Sequence, residues 1–322
     1  MIKKVLKTIG VVFLGLISLV IVICLLIILN GTNFESYHTP TESLENWMEE
    51  LDDDILVKDI IMPGSHDAGS YGMVWLGETQ HLTIEQQLEI GTRYFDLRVN
   101  KLEDDYVIFH SIINGTRFLP ILESIKSFIE THPTETLLLD FQHFEGNSQE
   151  DVYKFITEYL YNNDLLVVND KNIDDIDFIE NLTLKESRGK CIIFWGDRSG
   201  DLSNYIFLRN NDSCSYDNMC LNSYYETEYH AADGNYLCNS VHPIYFENIK
   251  QKEKTGIFVL QSQLTDTDLI FGPWSKEKAS SKEISEYIVS LKDNENLEYV
   301  TVIMRDFLNY DKCKEIIDLN KK

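Results

Sequence analysis

Short apolar runs alternate along this chain with longer stretches whose apolar residues recur every three or four positions. The short runs read as strands and the periodic stretches as helices. Ile60, Ile61 and Met62 run into Pro63-Gly64. Tyr94, Phe95, Leu97 and Val99 are interleaved with Asp96 and Arg98, and Tyr106 to Phe109 forms a third run. Further strands are predicted at Thr136 to Phe141, Lys190 to Trp195, Thr255 to Leu264 and Glu298 to Phe307. Between them, helices are predicted at Thr41 to Leu51, Phe118 to Thr131, Ser148 to Tyr161, Ser280 to Leu291 and Asp311 to Lys322. Thr83 to Ile90 is a shorter helix. Thr83 and Gln86 form a capping-box pattern at its start, and Gly91 stops it.

Alternating strands and helices imply a parallel α/β sheet. TLLLDF is nearly continuous in apolar character, as parallel strands buried on both faces are. The pattern yields seven strands and no eighth, so periodicity alone leaves a closed barrel and an open doubly wound sheet both standing. Residues 201–248, rich in Asn, Tyr and Asp, show no period and read as a long irregular insertion.

Ile9 to Leu29 is different in kind: 21 residues interrupted only by Gly10, Gly15 and Ser18. As a helix it would be about 31 Å long, enough to span a bilayer. It exceeds the apolar core of a cleavable signal and ends in Ile27-Ile28-Leu29-Asn30, without a small-x-small site. It therefore reads as an uncleaved signal anchor. Lys3, Lys4 and Lys7 place the N-terminus in the cytoplasm and the body outside. The expected organisation is a cytoplasmic N-terminus (1–8), an anchor (9–29), a polar linker (30–40) and one catalytic domain (41–322).

Charge narrows the partners. The chain has 53 acidic and 28 basic residues, a net charge of −25. It lacks the basic footprint that nucleic-acid phosphates require. Cys214, Cys220 and Cys238 share one irregular stretch, which leaves a disulfide among them open in an oxidising compartment. Cys191 reads as a small buried apolar residue. No Cys-x-x-Cys pair supports zinc.

The chemistry concentrates where three apolar runs end. They deliver His66 and Asp67, then Asp96 and Arg98, then His110. Two imidazoles and a guanidinium suffice for acid–base cleavage of a phosphate ester: one ring takes a proton, one gives it, and the cation holds the charge. The segments PGSHDAGS, QQLEIGTRYFDLR, LLLDFQHF and VIMRDFLNY, together with His110, resemble the X domain of phosphatidylinositol-specific phospholipases C, in that family's order. The resemblance covers residues 45–310 and is strongest to stand-alone X-domain proteins and secreted bacterial enzymes.

That resemblance implies a distorted, incompletely closed (β/α)8 barrel of the TIM type, preceded here by one transmembrane helix. It implies His66 as general base oriented by Asp306, Arg98 as phosphate-stabilising cation, and His110 as general acid held by Asp67. Calcium-dependent members carry an acidic ligand where this chain has Arg98, so no metal or other cofactor is expected. His143 is expected as a hydrogen-bonded support, and Arg93 as structural or as a partner for an acidic surface. Arg198, Ser262 and Leu264 fall where the bacterial enzymes contact the head group. The expected partner is a membrane phospholipid, cleaved to diacylglycerol and a cyclic phosphate, with no nucleic acid and no obligate protein partner. Two other readings remain open: a phosphodiesterase of different head-group specificity, and a tethered binding module whose chemistry has lapsed.

Overall fold

In a computed structural model, the protein is described over residues 2–31, 43–143, 148–171, 173–196, 206–209, 219–223, 233–250, 256–264 and 272–321. Eleven strands occur among these residues: β1 (Met62–Ser65), β2 (Tyr94–Leu97), β3 (Val99–Leu102), β4 (Asp105–His110), β5 (Ile113–Arg117), β6 (Thr136–Phe141), β7 (Lys190–Trp195), β8 (Ile206–Leu208), β9 (Leu221–Ser223), β10 (Ile257–Gln261) and β11 (Val302–Arg305). Eight of them form one parallel sheet in the order β8-β7-β6-β2-β1-β11-β10-β9. Its two edges meet through a single parallel bridge between Arg209 and Leu221. The sheet is thus a nearly closed eight-stranded barrel.

Three features differ from the sequence reading. The run Tyr106–Phe109 belongs to β4, which lies outside the barrel in a three-stranded antiparallel sheet, β3-β4-β5. The two barrel strands missing from the count, β8 and β9, lie inside the stretch read as an irregular insertion. Each is three residues long, too short to display a period of two. A third, smaller difference is at Thr41 to Leu51, where the described part holds only a 3-10 turn, Trp47–Glu50.

Side chains alternate across the barrel wall as strand geometry requires. On β6, Leu138 packs in the barrel interior with Met62, Tyr94, Ile192, Phe207, Val259 and Val302. Its neighbours Leu137 and Leu139 face outward against Phe118, Ile121, Leu122 and Ile125 of the helix Phe118–Thr131. That helix starts and stops where its periodicity predicts. On the far side, Phe258, Leu260 and Ile303 face outward against the helices His242–Lys250 and Gly272–Ser290. Each fully buried side chain of this size contributes about 1.5–3 kcal/mol. The helix Ile84–Glu89 carries the predicted capping box of Thr83 and Gln86.

Strand register lines up one polar layer. Ser65 pairs with Arg305 and with Phe95, so the next residues, His66, Asp306 and Asp96, stand level. Asp96 pairs with Asp140, Asp140 with Phe194, and Phe194 with Phe207. On β10, Gln261 pairs with Met304, and the Ser262 N–H donates to the Met304 carbonyl at 2.8 Å. Gln263 therefore stands level with Asp306. Five adjacent strands carry polar groups at this height, and β7 and β8 carry aromatic rings.

The helix Ile2–Gly31 contains a stretch, Lys7–Leu25, long and apolar enough to cross a membrane, none of it buried against the barrel. Cys220 lies in the interior cluster and Cys238 in an outer one, and Cys238 is a free thiol, so the two are not joined. Cys214 lies outside the described residues. Cys191 is fully buried on β7. Arg93 is structural as expected: it is fully buried, pairs with Glu135 at 2.9 Å and donates to the carbonyls of Leu44 and Glu45.

Candidate active site

The strands set their C-terminal ends around one cluster of charge. β1 runs out at Ser65, and the next two residues turn into the barrel mouth. Asp67 sits at φ 43°, a left-handed conformation, which reverses the chain directly after the imidazole of His66. The exit is fixed by buried polar groups. Gln80 Nε2 donates to the carbonyls of both His66 (3.0 Å) and Arg305 (2.9 Å), and its Oε1 accepts from the Leu308 N–H. Thr79 Oγ1 donates to the His66 carbonyl at 3.0 Å. The ends of β1 and β11 are thereby tied together.

That tie serves the first pair. His66 Nδ1 lies 2.7 Å from Asp306 Oδ1, both residues being almost wholly buried. With Nδ1–H donated to the carboxylate, the neutral ring would carry its lone pair on Nε2, which lies 3.2 Å from Arg98 Nη2. Arg98 is held by two more carboxylates: Asp67 Oδ1 at 2.5 Å from Nε and Asp96 Oδ2 at 3.0 Å from Nη2. Asp96 also accepts from the Asp67 N–H at 3.2 Å. The β3-β4-β5 sheet folds over the mouth and brings in His110 from the end of β4. Its Nδ1 donates to the Gly77 carbonyl at 2.9 Å, and its Nε2 faces Asp67 Oδ2 at 3.7 Å. The His66 Nε2 is 3.4 Å from the same Asp67 oxygen. Two imidazole nitrogens thus converge on one carboxylate oxygen from different structural units.

Electrostatics follow from burial and pairing. Burial opposes charge on His66, but the carboxylates of Asp67 and Asp306 outweigh it and push the imidazole pKa up to about 9. Burial works to raise the Asp96 carboxyl. Arg98, His66 and a hydrogen bond with Gln142 more than reverse that and hold it well below the usual range. Burial raises the Asp306 carboxyl, against the pull of His66. His66, Asp67 and Asp96 offer one nitrogen and two carboxylate oxygens within 4.8 Å of one another, a donor set with the makings of a cation seat. The Arg98 guanidinium already bonds to both carboxylates there.

Of the residues singled out in the sequence, His66, Asp67, Arg98, His110 and Asp306 are brought together. Arg198 lies outside the described residues. Ser262 and Leu264 are not brought to the cluster. Leu264 packs into the outer apolar layer with Leu260 and Ile284, and Ser262 is buried 3.4 Å from His242 Nε2. On β10 the inward set is Ile257, Val259 and Gln261, so Ser262 and Leu264 lie on the outward side of the strand. His143 is exposed at the β6 exit, at φ 53°. Sequence reading missed Gln80, Thr79 and the pair Asp140–Arg209. Asp140 lies 2.7 Å from Arg209 Nε and accepts from the Tyr94 hydroxyl at 2.6 Å. Burial pushes its pKa up to about 6 against the opposing charge of Arg209. An aspartate inside the apolar run TLLLDF was the available signal.

A parallel barrel with its charged cluster at the strand C-terminal ends has the layout of a barrel enzyme site. The family model for the phosphatidylinositol-specific phospholipase C X domain matches residues 56–196, which contain His66, Asp67, Asp96, Arg98 and His110 but neither Arg209 nor Asp306. The chain is 29% identical over 212 residues to a 1-phosphatidylinositol phosphodiesterase of Staphylococcus aureus, covering 60% of this chain and 58% of that protein. It is 22% identical over 291 residues to the enzyme of the same name from Listeria monocytogenes, covering 86% of this chain and 85% of the relative. The solved phosphatidylinositol-specific phospholipase C from Listeria monocytogenes superposes with a TM-score of 0.67 over 87% of this chain and 100% of that one, at 20% identity. Over residues 56–196 the chain is thus similar to the phosphatidylinositol-specific phospholipase C X-domain family, and it shares the fold of the solved Listeria monocytogenes enzyme.

Proposed function

We propose that this protein is a membrane-anchored phosphodiesterase that cleaves phosphatidylinositol, or its glycosylated form, by general acid–base catalysis without a metal. The observation that carries the reading is the convergence of His66 Nε2 and His110 Nε2 on Asp67 Oδ2, at 3.4 and 3.7 Å, beside the Arg98 guanidinium. His66, oriented by Asp306, takes the proton of the head-group hydroxyl next to the phosphate. The hydroxyl oxygen attacks phosphorus. Arg98 binds the phosphoryl oxygens as their charge grows. His110 gives its Nε2 proton to the glycerol oxygen as that bond breaks. The products are diacylglycerol and a cyclic inositol phosphate. Attack by a neighbouring hydroxyl gains the effective concentration of an intramolecular nucleophile. Arg98, already bonded to Asp67 and Asp96, supplies the positive charge that a divalent cation would otherwise bring to those carboxylates.

The lysines at the start and the apolar helix support a single-pass anchor, with residues 1–8 cytoplasmic, 9–29 in the bilayer, 30–40 as linker and the barrel outside. Protease treatment of intact cells tests the orientation: a barrel degraded only after lysis would place it inside. For the reaction, the full chain in mixed micelles with phosphatidylinositol and excess chelator should release a cyclic phosphate. Loss of turnover in chelator, restored by calcium, would refute the role given to Arg98.

A further inference from the structure

We infer that Lys312, behind the barrel wall, is a positioning residue: its ammonium bonds the backbone that carries Asp306 and so holds that carboxylate against His66. This rests on the phosphodiesterase reading above and deepens it. Lys312 lies in the helix Tyr310–Ile317, which follows β11, and its side chain turns back toward the strand exit. The residue is only 6% exposed, and lysine is seldom buried unless its charge is paired. An ammonium has three protons to donate, and here three acceptors surround it. Nζ lies 2.6 Å from Glu277 Oε1, 2.7 Å from the Phe307 carbonyl and 3.2 Å from the Asp306 carbonyl.

The ion pair alone does not account for this arrangement. Glu277 also pairs with Arg305 of β11, whose Nη2 lies 2.8 Å from the same carboxylate oxygen. What Lys312 adds is two bonds to the β11 exit. Two successive carbonyls reach one ammonium there, with Phe307 at φ 46°, a left-handed conformation that is costly for a bulky residue and must be held by its surroundings. The Phe307 N–H donates to the Thr79 carbonyl at 2.7 Å, and the Leu308 N–H donates to Gln80 Oε1 at 3.0 Å. Thr79 and Gln80, which also bond the His66 carbonyl, fix the turn from the His66 side, and Lys312 fixes it from the helix side. The Asp306 carboxylate between these two holds lies 2.7 Å from His66 Nδ1, so a shift of the turn disturbs the bond that orients the proposed base.

The test uses the full chain in detergent and two variants, Lys312→Met and Glu277→Gln. Lys312→Met removes both carbonyl bonds but leaves Glu277 paired with Arg305, so no buried charge is stranded. Glu277→Gln breaks the ion pair and keeps the carbonyl bonds. Three things are measured on each: the melting temperature, KM and kcat on phosphatidylinositol micelles, and the NMR signal of the His66 Nδ1–H, assigned by its absence from His66→Asn. Lys312→Met is expected to lower kcat by about 10–100-fold at unchanged KM and to lose the Nδ1–H signal to exchange with water. Glu277→Gln is expected to melt at a lower temperature with kcat and signal near wild type. A Lys312→Met protein with wild-type kcat and signal would overturn the inference. So would equal losses in the two variants, since the ion pair rather than the carbonyl bonds would then matter. If Lys312→Met does not fold, Lys312→Arg carries the test. It keeps a charge beside Glu277, and the cavity of about 280 Å³ that Lys312 lines gives the longer side chain room, but a planar fork cannot replace a compact ammonium between two carbonyls. Reduced kcat and signal in that variant would support the inference, and wild-type values would overturn it. A wild type that releases no cyclic phosphate would refute the reaction alone: loss of the Nδ1–H signal in Lys312→Met would still support the positioning, and an unchanged signal would still overturn it.

Discussion

Arg98 touches His66, Asp67 and Asp96 at once, and its removal should show in two independent readouts. Arg98→Ala deletes the cation proposed to face the phosphate, so kcat should fall by roughly 10²–10³. It also leaves two buried carboxylates unpaired, which should cost about 3–5 kcal/mol in urea unfolding. Lysine should rescue part of the stability and little of the rate, because a point charge cannot reach both carboxylates as a planar fork does. His66 sets the pH behaviour. Its pKa is raised from 6.5 to about 9 by Asp67 and Asp306 against burial, so as a base it becomes competent only as pH rises toward 9, and kcat/KM should climb across that window. Asp306→Asn removes part of that upward push, and the acidic limb should move to lower pH while the maximum drops. Stability has the opposite sign: the charged form is favoured in the fold. The contribution of His66, about 3 kcal/mol, is therefore complete below pH 6.5 and lost as pH rises through 9. Unfolding of wild type and His66→Asn should accordingly differ at pH 6 and converge at pH 10. The five catalytic candidates were legible in the sequence because each interrupts or ends an apolar run. Gln80 was not, because it sits in a polar loop where nothing marks a glutamine whose amide bonds to two strand exits.

Secondary elements divide into those that hold the barrel and those that aim the site. Phe118→Ala empties a fully buried position under β6 and should cost about 3–5 kcal/mol while leaving KM and kcat near wild type. Gln80→Leu is the converse. It should cost only about 1–3 kcal/mol, yet it frees the β1 exit from the β11 exit and should lower kcat by about 10–100-fold through misplacement of His66 against Asp306. Six barrel strands could be read from the chain because parallel strands buried on both faces are apolar throughout. β8 and β9 could not, since three residues hold no pattern and their placement depends on β7 and β10 as neighbours. β4 was recognised as a strand, but nothing local distinguishes a barrel strand from one in an antiparallel excursion. The outward placement of Ser262 and Leu264 has the same origin: sequence locates the end of a strand, while its inward parity depends on which residues pair with β11.

The molecule as a whole joins a strongly acidic barrel to an apolar helix. The whole chain carries a net charge of −25, and its N-terminal helix holds basic but no acidic residues, so the body should be repelled by anionic bilayers. At a fixed fraction of phosphatidylinositol, activity on vesicles should therefore fall as other anionic lipid is added and recover in part as salt is raised toward 0.15 M, where the screening length is about 8 Å. A tether of the kind proposed for residues 9–29 offsets that repulsion by holding the barrel at the surface. The central mechanistic claim is metal-independent attack by a head-group hydroxyl under the control of His66 and His110, and phosphorus NMR tests it most directly. Full-length protein, phosphatidylinositol micelles and excess chelator should give the signal of a cyclic inositol phosphate, absent in both His66→Ala and His110→Ala. Release of an acyclic inositol phosphate as the first product, or turnover that survives loss of either histidine, would contradict it.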